Sequence, residues 1–165
     1  MGKAIVRGIP EMIEFTNEPR GATYSRLIDI AQTQCTRFSL VWRNDRRNKR
    51  HQSELGRRLK PFVLSDIITN EWPGTWTFPY AHNLCTYELS QETATALKMV
   101  EGLYDWLAPD FPEDLAFYVE KGEVWLTSVA HECMGWMTTA SIKANELERI
   151  LSFLHQSGVI SEKYY

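Results

Sequence analysis

The chain of 165 residues, 44% apolar and 24% charged, is long enough for one globular domain with its own core, and its balance excludes a disordered polymer. No apolar run approaches the roughly 18 residues needed to cross a bilayer, so no membrane partner is expected. The formal net charge of −3 hides a segregation: Arg43, Arg46, Arg47, Lys49, Arg50, Arg57, Arg58 and Lys60 face only Asp45 and Glu54 within residues 43–60, which leaves the rest of the chain strongly acidic.

Taken in order, the first fifteen residues predict a short strand or irregular arm carrying Ile5, Val6, Ile9, Met12, Ile13 and Phe15. They lack the apolar core and cleavage site of a secretory signal. Cys35, Cys85 and Cys133 are an odd number without framework spacing. Together these features point to a reducing, cytoplasmic setting. Tyr24, Leu27, Ile28, Ala31 and Cys35 recur at helical spacing and predict a helix over about 23–35. Phe38–Trp42 reads as a strand. The basic stretch 43–60 has only Leu55 and Leu59 as anchors, so it is expected to be a solvent-exposed loop or a polar helix. Phe62-Val-Leu64 returns the chain to the body. The aromatic segment from Glu71 to Tyr80 reads as an ordered loop clamped on the core by four large rings.

Leu84–Leu89 alternates as a strand, with Cys85, Tyr87 and Leu89 on one face. Ser90 is placed to cap a helix over about 91–107, whose stripe is Ala96, Leu97, Val100, Leu103, Tyr104 and Leu107 and which Pro109 stops. Leu115–Val119 and Val124–His131 form two apolar runs around Gly122, the pattern of a β-hairpin at about 115–131. Closing the turn at Val119 and Val124 pairs Phe117 with Leu126 toward the core and Tyr118 with Trp125 on the other face. A last helix over about 142–157 carries Leu147, Ile150, Leu151 and Leu154, with Gly158 as its terminator. The order of elements predicts a single α+β domain over residues 1–165 with three helices and a mainly antiparallel sheet. No glycine-rich phosphate loop follows any strand, and no cofactor is expected.

Four constellations carry possible chemistry. His82, Cys85, His131 and Cys133 contain the donors of a tetrahedral zinc site, although neither half has a Cys-x-x-Cys knuckle; two strand-end histidines and two small buried cysteines are the commoner outcome. A cysteine nucleophile with His131 or His82 as base has no local signature behind it. Asp110, Glu113 and Asp114 precede the hairpin and Glu132 ends it, so carboxylates of the Pro112-Glu-Asp114 loop are expected to meet His131-Glu-Cys133 in space. The eight basic residues of 43–60 suit phosphates but lack interleaved aromatics for stacking bases.

Pro112-Glu-Asp-Leu-Ala-Phe-Tyr118 followed by Val124-Trp-Leu-Thr-Ser-Val-Ala-His-Glu132 resembles a PEDL-x-(F/L)-(Y/F)…W-(L/F)-x-(S/T)-(I/V)-x-HE pattern found in small bacterial proteins, some labelled as sporulation proteins. The resemblance covers about 25 residues. It implies that the acidic loop and His131-Glu132 belong to one recurring unit, and it carries over no activity and no site.

The sequence therefore favours a non-catalytic protein-binding domain of bacterial type, for example an immunity-type inhibitor that covers a toxin's basic site with Asp105, Asp110, Glu113, Asp114, Tyr118 and Trp125. The alternatives are a metal- or carboxylate-assisted hydrolase centred on His131 and Glu132 with Asp114, and nucleic-acid binding through the basic segment.

Overall fold

The computed structural model describes residues 8–45 and 50–164. In chain order the strands and helices are β1 (Met12–Glu14), α1 (Gly21–Gln34), β2 (Arg37–Trp42), α2 (Glu54–Leu59), β3 (Val63–Thr69), β4 (Glu71–Trp72) and β5 (Thr75–Trp76). Then follow β6 (His82–Glu88), α3 (Gln91–Leu97), β7 (Glu113–Tyr118), β8 (Val124–Val129), β9 (Met134–Thr138) and α4 (Ala144–Gln156). Seven strands form one antiparallel sheet in the order β1-β9-β8-β7-β2-β6-β3, and β4 and β5 form a separate two-stranded ribbon. This is an α+β domain with a mainly antiparallel sheet. No helix among the described residues is long and apolar enough to cross a membrane.

Strand alternation decides which face is core. Ile13, Met137, Leu126, Phe117, Phe38 and Tyr87 are linked in register across the sheet and all are buried. They join Leu27 and Ile28 of α1, Ala96 and Leu97 of α3, and Leu151 and Leu154 of α4 in one cluster. Each such Leu, Ile or Phe contributes about 1.5–3 kcal/mol by leaving water. The opposite face carries Val129, Thr127 and Trp136, and the ribbon lies on it: a Cβ at Gly74 would sit 2.8 Å from Val129 Cγ2 and 2.9 Å from Thr127 Cγ2 and the Trp136 ring.

The predicted helices over 23–35 and 142–157 are found as α1 and α4. α4 ends as expected: Gly158 has φ +74°, Val159 N–H bonds Leu154 O at 2.9 Å and Gly158 N–H bonds His155 O at 3.1 Å, a Schellman terminus. The helix expected over 91–107 stops at Leu97 instead. Ser90 does cap it, in a reciprocal box with Thr93. Beyond it, Gly102 bridges Arg20, and Leu103–Asp105 make one 3₁₀ turn. Leu103 is still buried, so the stripe marks the core while the backbone takes another path.

The hairpin is present, and Phe117 faces Leu126 as predicted. Its loop is one residue shorter than expected, because Val119 N–H bonds Glu123 O at 2.9 Å and Gly122 takes φ +92°. That shift pairs Tyr118 with Val124 and leaves Trp125 as a bulge residue. Trp125 therefore turns into the core, fully buried and edge-on to Phe117 at 6.3 Å. The expected Tyr118–Trp125 pair does not form.

Four strands were not predicted from the sequence, among them β4 and β5 of the ribbon, which fall in the segment read as a loop. β9 follows the hairpin, and β3 forms the outer edge beside β6. The 71–80 segment is also less buried than its composition suggests: Trp72 is 5% exposed, but Trp76, Phe78 and Tyr80 are 66%, 77% and 62% exposed.

Candidate functional site

At one end of the sheet, where β2 and β8 finish and β6 and β7 begin, polar residues converge beneath the ribbon. Asp114 is the centre. Its backbone is left-handed, with φ 58°, and its side chain is buried. Oδ2 accepts from Trp72 Nε1 at 2.8 Å and from Thr75 Oγ1 at 3.4 Å, and Oδ1 accepts from Ala130 N–H at 2.9 Å. One carboxylate thus ties the ribbon to the far end of the hairpin. Burial raises the Asp114 pKa, and the Trp72 and Ala130 hydrogen bonds oppose that rise.

Glu113 is buried beside it. Its Oε2 accepts from Arg43 Nη1 at 3.1 Å and its Oε1 from Ala108 N–H at 3.3 Å. Arg43 also forms a bidentate pair with Asp45, at 2.9 and 2.6 Å, which holds the Asp45 pKa below its usual value. His82 is fully buried, 5.8 Å edge-on from the Trp72 ring. Its Nδ1 accepts from Asn44 N–H at 3.0 Å, which assigns the proton to Nε2; that atom has no hydrogen-bond partner among the described residues. Burial, then Arg43, push the His82 pKa down.

The expected meeting of the Pro112–Asp114 loop with His131 takes place. One ligand atom each from Glu113, Asp114 and His131 lie within 4.8 Å of one another, the only such grouping of potential metal donors among the described residues. His131 and Glu132 sit on the 3₁₀ turn Ala130–Glu132, both at the surface, with Nε2 3.6 Å from Oε1. Glu113, Asp114 and His131 are therefore the residues that could share an ion. The two buried carboxylates already accept hydrogen bonds from their own chain, and Arg43 neutralises one of them.

The zinc set His82, Cys85, His131 and Cys133 does not assemble. His82 and Cys85 are three apart on β6, so their side chains leave opposite faces of the sheet. Cys85 is in the core with its thiol pushed up to about 12 by burial, as is Cys35 at the end of α1. Cys133 is exposed at φ 52°.

The acidic surface also comes apart. Glu113, Asp114 and Trp125 are buried and cannot present themselves to a partner. Asp105 is held by Arg20 at 2.9 Å and accepts from Gly102 N–H at 2.9 Å. Tyr118 is half-buried, its hydroxyl 2.8 Å from Ser39 Oγ; Asp110 stays exposed. In the basic segment, Arg43 and Arg50 are ion-paired, Arg50 to Asp66 at 2.5 Å. Arg57, Arg58 and Lys60 are exposed on or just after α2; Arg46, Arg47 and Lys49 lie outside the described residues.

Sequence reasoning missed the open edge. β3 closes the sheet on one side, and its residues 64–68 are all exposed, including Leu64 at 57%, Ile67 at 52% and Ile68 at 72%. The ribbon segment that follows adds the stacked Trp76 and Phe78 rings and Tyr80. Six of the ten large exposed apolar side chains among the described residues thus fall between 64 and 80. The β-branched run Ile67-Ile68-Thr69 was the available sequence signal for this strand. Comparison with protein-family models, with curated proteins and with solved structures yields no match.

Proposed function

We propose that this chain is a protein-binding domain that presents the β3 edge to an extended segment of another protein and performs no chemistry of its own. The seven-residue edge strand, which among the described residues pairs only with β6 and carries apolar side chains on both faces, supports this reading. Natural sheets blunt such edges with Lys, Pro, strong bulges or a covering element. β3 has one bulge near Val63 and one carboxylate, Asp66, which Arg50 and Asn83 hold to its own chain. A strand added there would gain main-chain hydrogen bonds, while Ile67 and Ile68 would supply pockets on alternate faces. Inhibition of a toxin in the manner of an immunity protein is one concrete form of this function. In that form the contact is the β3 edge rather than the acidic loop. The three free cysteines suit a cytoplasmic setting.

Hydrogen exchange on the full chain tests the proposal. Short random peptides selected by display for binding should protect backbone amides of 64–68, and Ile68→Lys should abolish that binding while leaving the unfolding midpoint in place. Protection centred on residues 113–132 instead, or binding that survives Ile68→Lys, refutes it.

A hydrolase at His131 is the second reading, and the convergence of Glu113, Asp114 and His131 is the observation behind it. It requires a metal or an activated water at that point. Metal analysis of chain purified without added metal separates the two: about one divalent ion per chain, lost in His131→Ala, replaces the protein-binding reading with this one.

A further inference from the structure

The start of the β3 edge carries its own information about the partner. α2 packs tightly on the turn before it, a fit that Gly56 permits: a Cβ there would lie 1.5 Å from the Arg50 carbonyl oxygen. Between them lies a cavity of about 330 Å³ with Arg50, His51, Arg57 and Lys60 on its walls and Val63 and Tyr87 beneath. The floor is fixed, since Tyr87 is buried and its hydroxyl accepts from Trp42 Nε1 at 2.9 Å. Among the described residues no carboxylate lines the cavity, and no ion pair engages Arg57 or Lys60. Unbalanced cations around a concavity focus a positive potential and attract an anion.

Strand direction says which part of a docked segment reaches that anion site. Every strand pair in the seven-stranded sheet is antiparallel. A segment added to β3 in the same sense runs from the Thr69 end toward Val63, about 4.8 Å from β3, and brings its C-terminal residues to the cavity. We propose that the partner of this domain is a protein segment with alternating apolar residues followed, on its C-terminal side, by carboxylates that enter the Arg57–Lys60 cavity. The inference rests on the edge-docking reading above and adds the partner's chemistry and polarity. The carboxylates are acidic side chains of that segment.

The test uses the full chain and peptides selected from a displayed random library. Selected binders should carry Asp or Glu C-terminal to their apolar stretch. Arg57→Glu combined with Lys60→Glu, both exposed positions, should weaken binding about tenfold and flatten its dependence on salt. Resynthesis with an amidated C-terminus should leave the affinity unchanged, and a loss makes a terminal carboxylate the ligand and overturns the inference. Binders without acidic ends that ignore the charge reversal yet fail on Ile68→Lys overturn this inference and leave edge docking standing. Binders indifferent to Ile68→Lys, or a selection that yields none, overturn both. A dimer in light scattering that Ile68→Lys dissociates makes a second copy the occupant and overturns the inference. Binding of inorganic polyphosphate or duplex DNA that is lost on charge reversal, with peptide binding unchanged, does the same in favour of a phosphate ligand.

Discussion

Trp72→Phe probes the centre of the polar cluster with little else disturbed. The ring stays aromatic beside His82, while the Nε1 donor to Asp114 Oδ2, at 2.8 Å, disappears. Thr75 Oγ1 at 3.4 Å is too distant to replace it. A hydrogen bond to a charged group contributes about 1.5–3 kcal/mol, and the smaller ring adds roughly 1 kcal/mol of lost packing. The variant should therefore lose about 2.5–4 kcal/mol near neutral pH, a large share of a typical domain's stability. The loss should depend on pH. Burial raises the folded-state pKa of Asp114 above its unfolded value, so stability from this group is fully present below the unfolded pKa and is lost as pH rises through the folded one. The Trp72 N–H opposes that rise, so its removal lifts the folded pKa further and deepens the loss on the alkaline side. In acid, where Asp114 is protonated in both proteins, the missing bond is a neutral one worth about 1 kcal/mol. Urea unfolding followed by far-UV circular dichroism, at several values between about pH 4 and pH 7.5, measures the difference directly. A destabilisation below about 0.5 kcal/mol, or one that does not change with pH, would show that this contact does not hold the carboxylate.

Other substitutions test neighbouring claims. Gly74→Ala combines a φ of +81° with a Cβ 2.8 Å from Val129 Cγ2, and should cost about 2–5 kcal/mol in thermal or urea unfolding. An effect under about 1 kcal/mol would mean the ribbon is not seated on β8 and β9. Arg43→Met strands the buried Glu113 carboxylate and should destabilise by about 3–5 kcal/mol. The double change Arg43→Met with Glu113→Leu should recover most of that loss, and a double variant as unstable as the single would refute the pairing. Ser90→Ala opens the reciprocal cap of α3 and should cost about 1 kcal/mol, read as a shift in urea midpoint with unchanged slope.

Local patterns in the sequence were enough wherever an element's own residues settle its fate. The stripe Tyr24, Leu27, Ile28 and Ala31 fixes α1, the stripe ending at Leu154 with Gly158 after it fixes α4, and the apolar runs around Gly122 fix the hairpin. The same patterns place Phe117 opposite Leu126, because side-chain alternation leaves one way to bury that face. They also bring the Pro112–Asp114 loop toward His131, since the two ends of a hairpin's strands must lie side by side.

Tertiary structure decided the rest. A loop one residue shorter than expected created the Trp125 bulge and moved that ring from the surface into the core, a choice set by backbone hydrogen bonds of the turn rather than by composition. Glu113 and Asp114 read as solvated acids in a linear chain; they are buried because Arg43, Trp72 and the Ala130 amide, distant in sequence, supply their charge and donors. α3 ends at Leu97 in a tightened turn, with Lys98 N–H on Thr95 O and Met99 N–H on Ala96 O, and Gly102 then bridges Arg20, a residue distant in sequence. Most of all, whether Ile67 and Ile68 are interior or edge depends on whether another strand lies beyond β3. Nothing within those seven residues states this, because strand order is a property of the whole sheet.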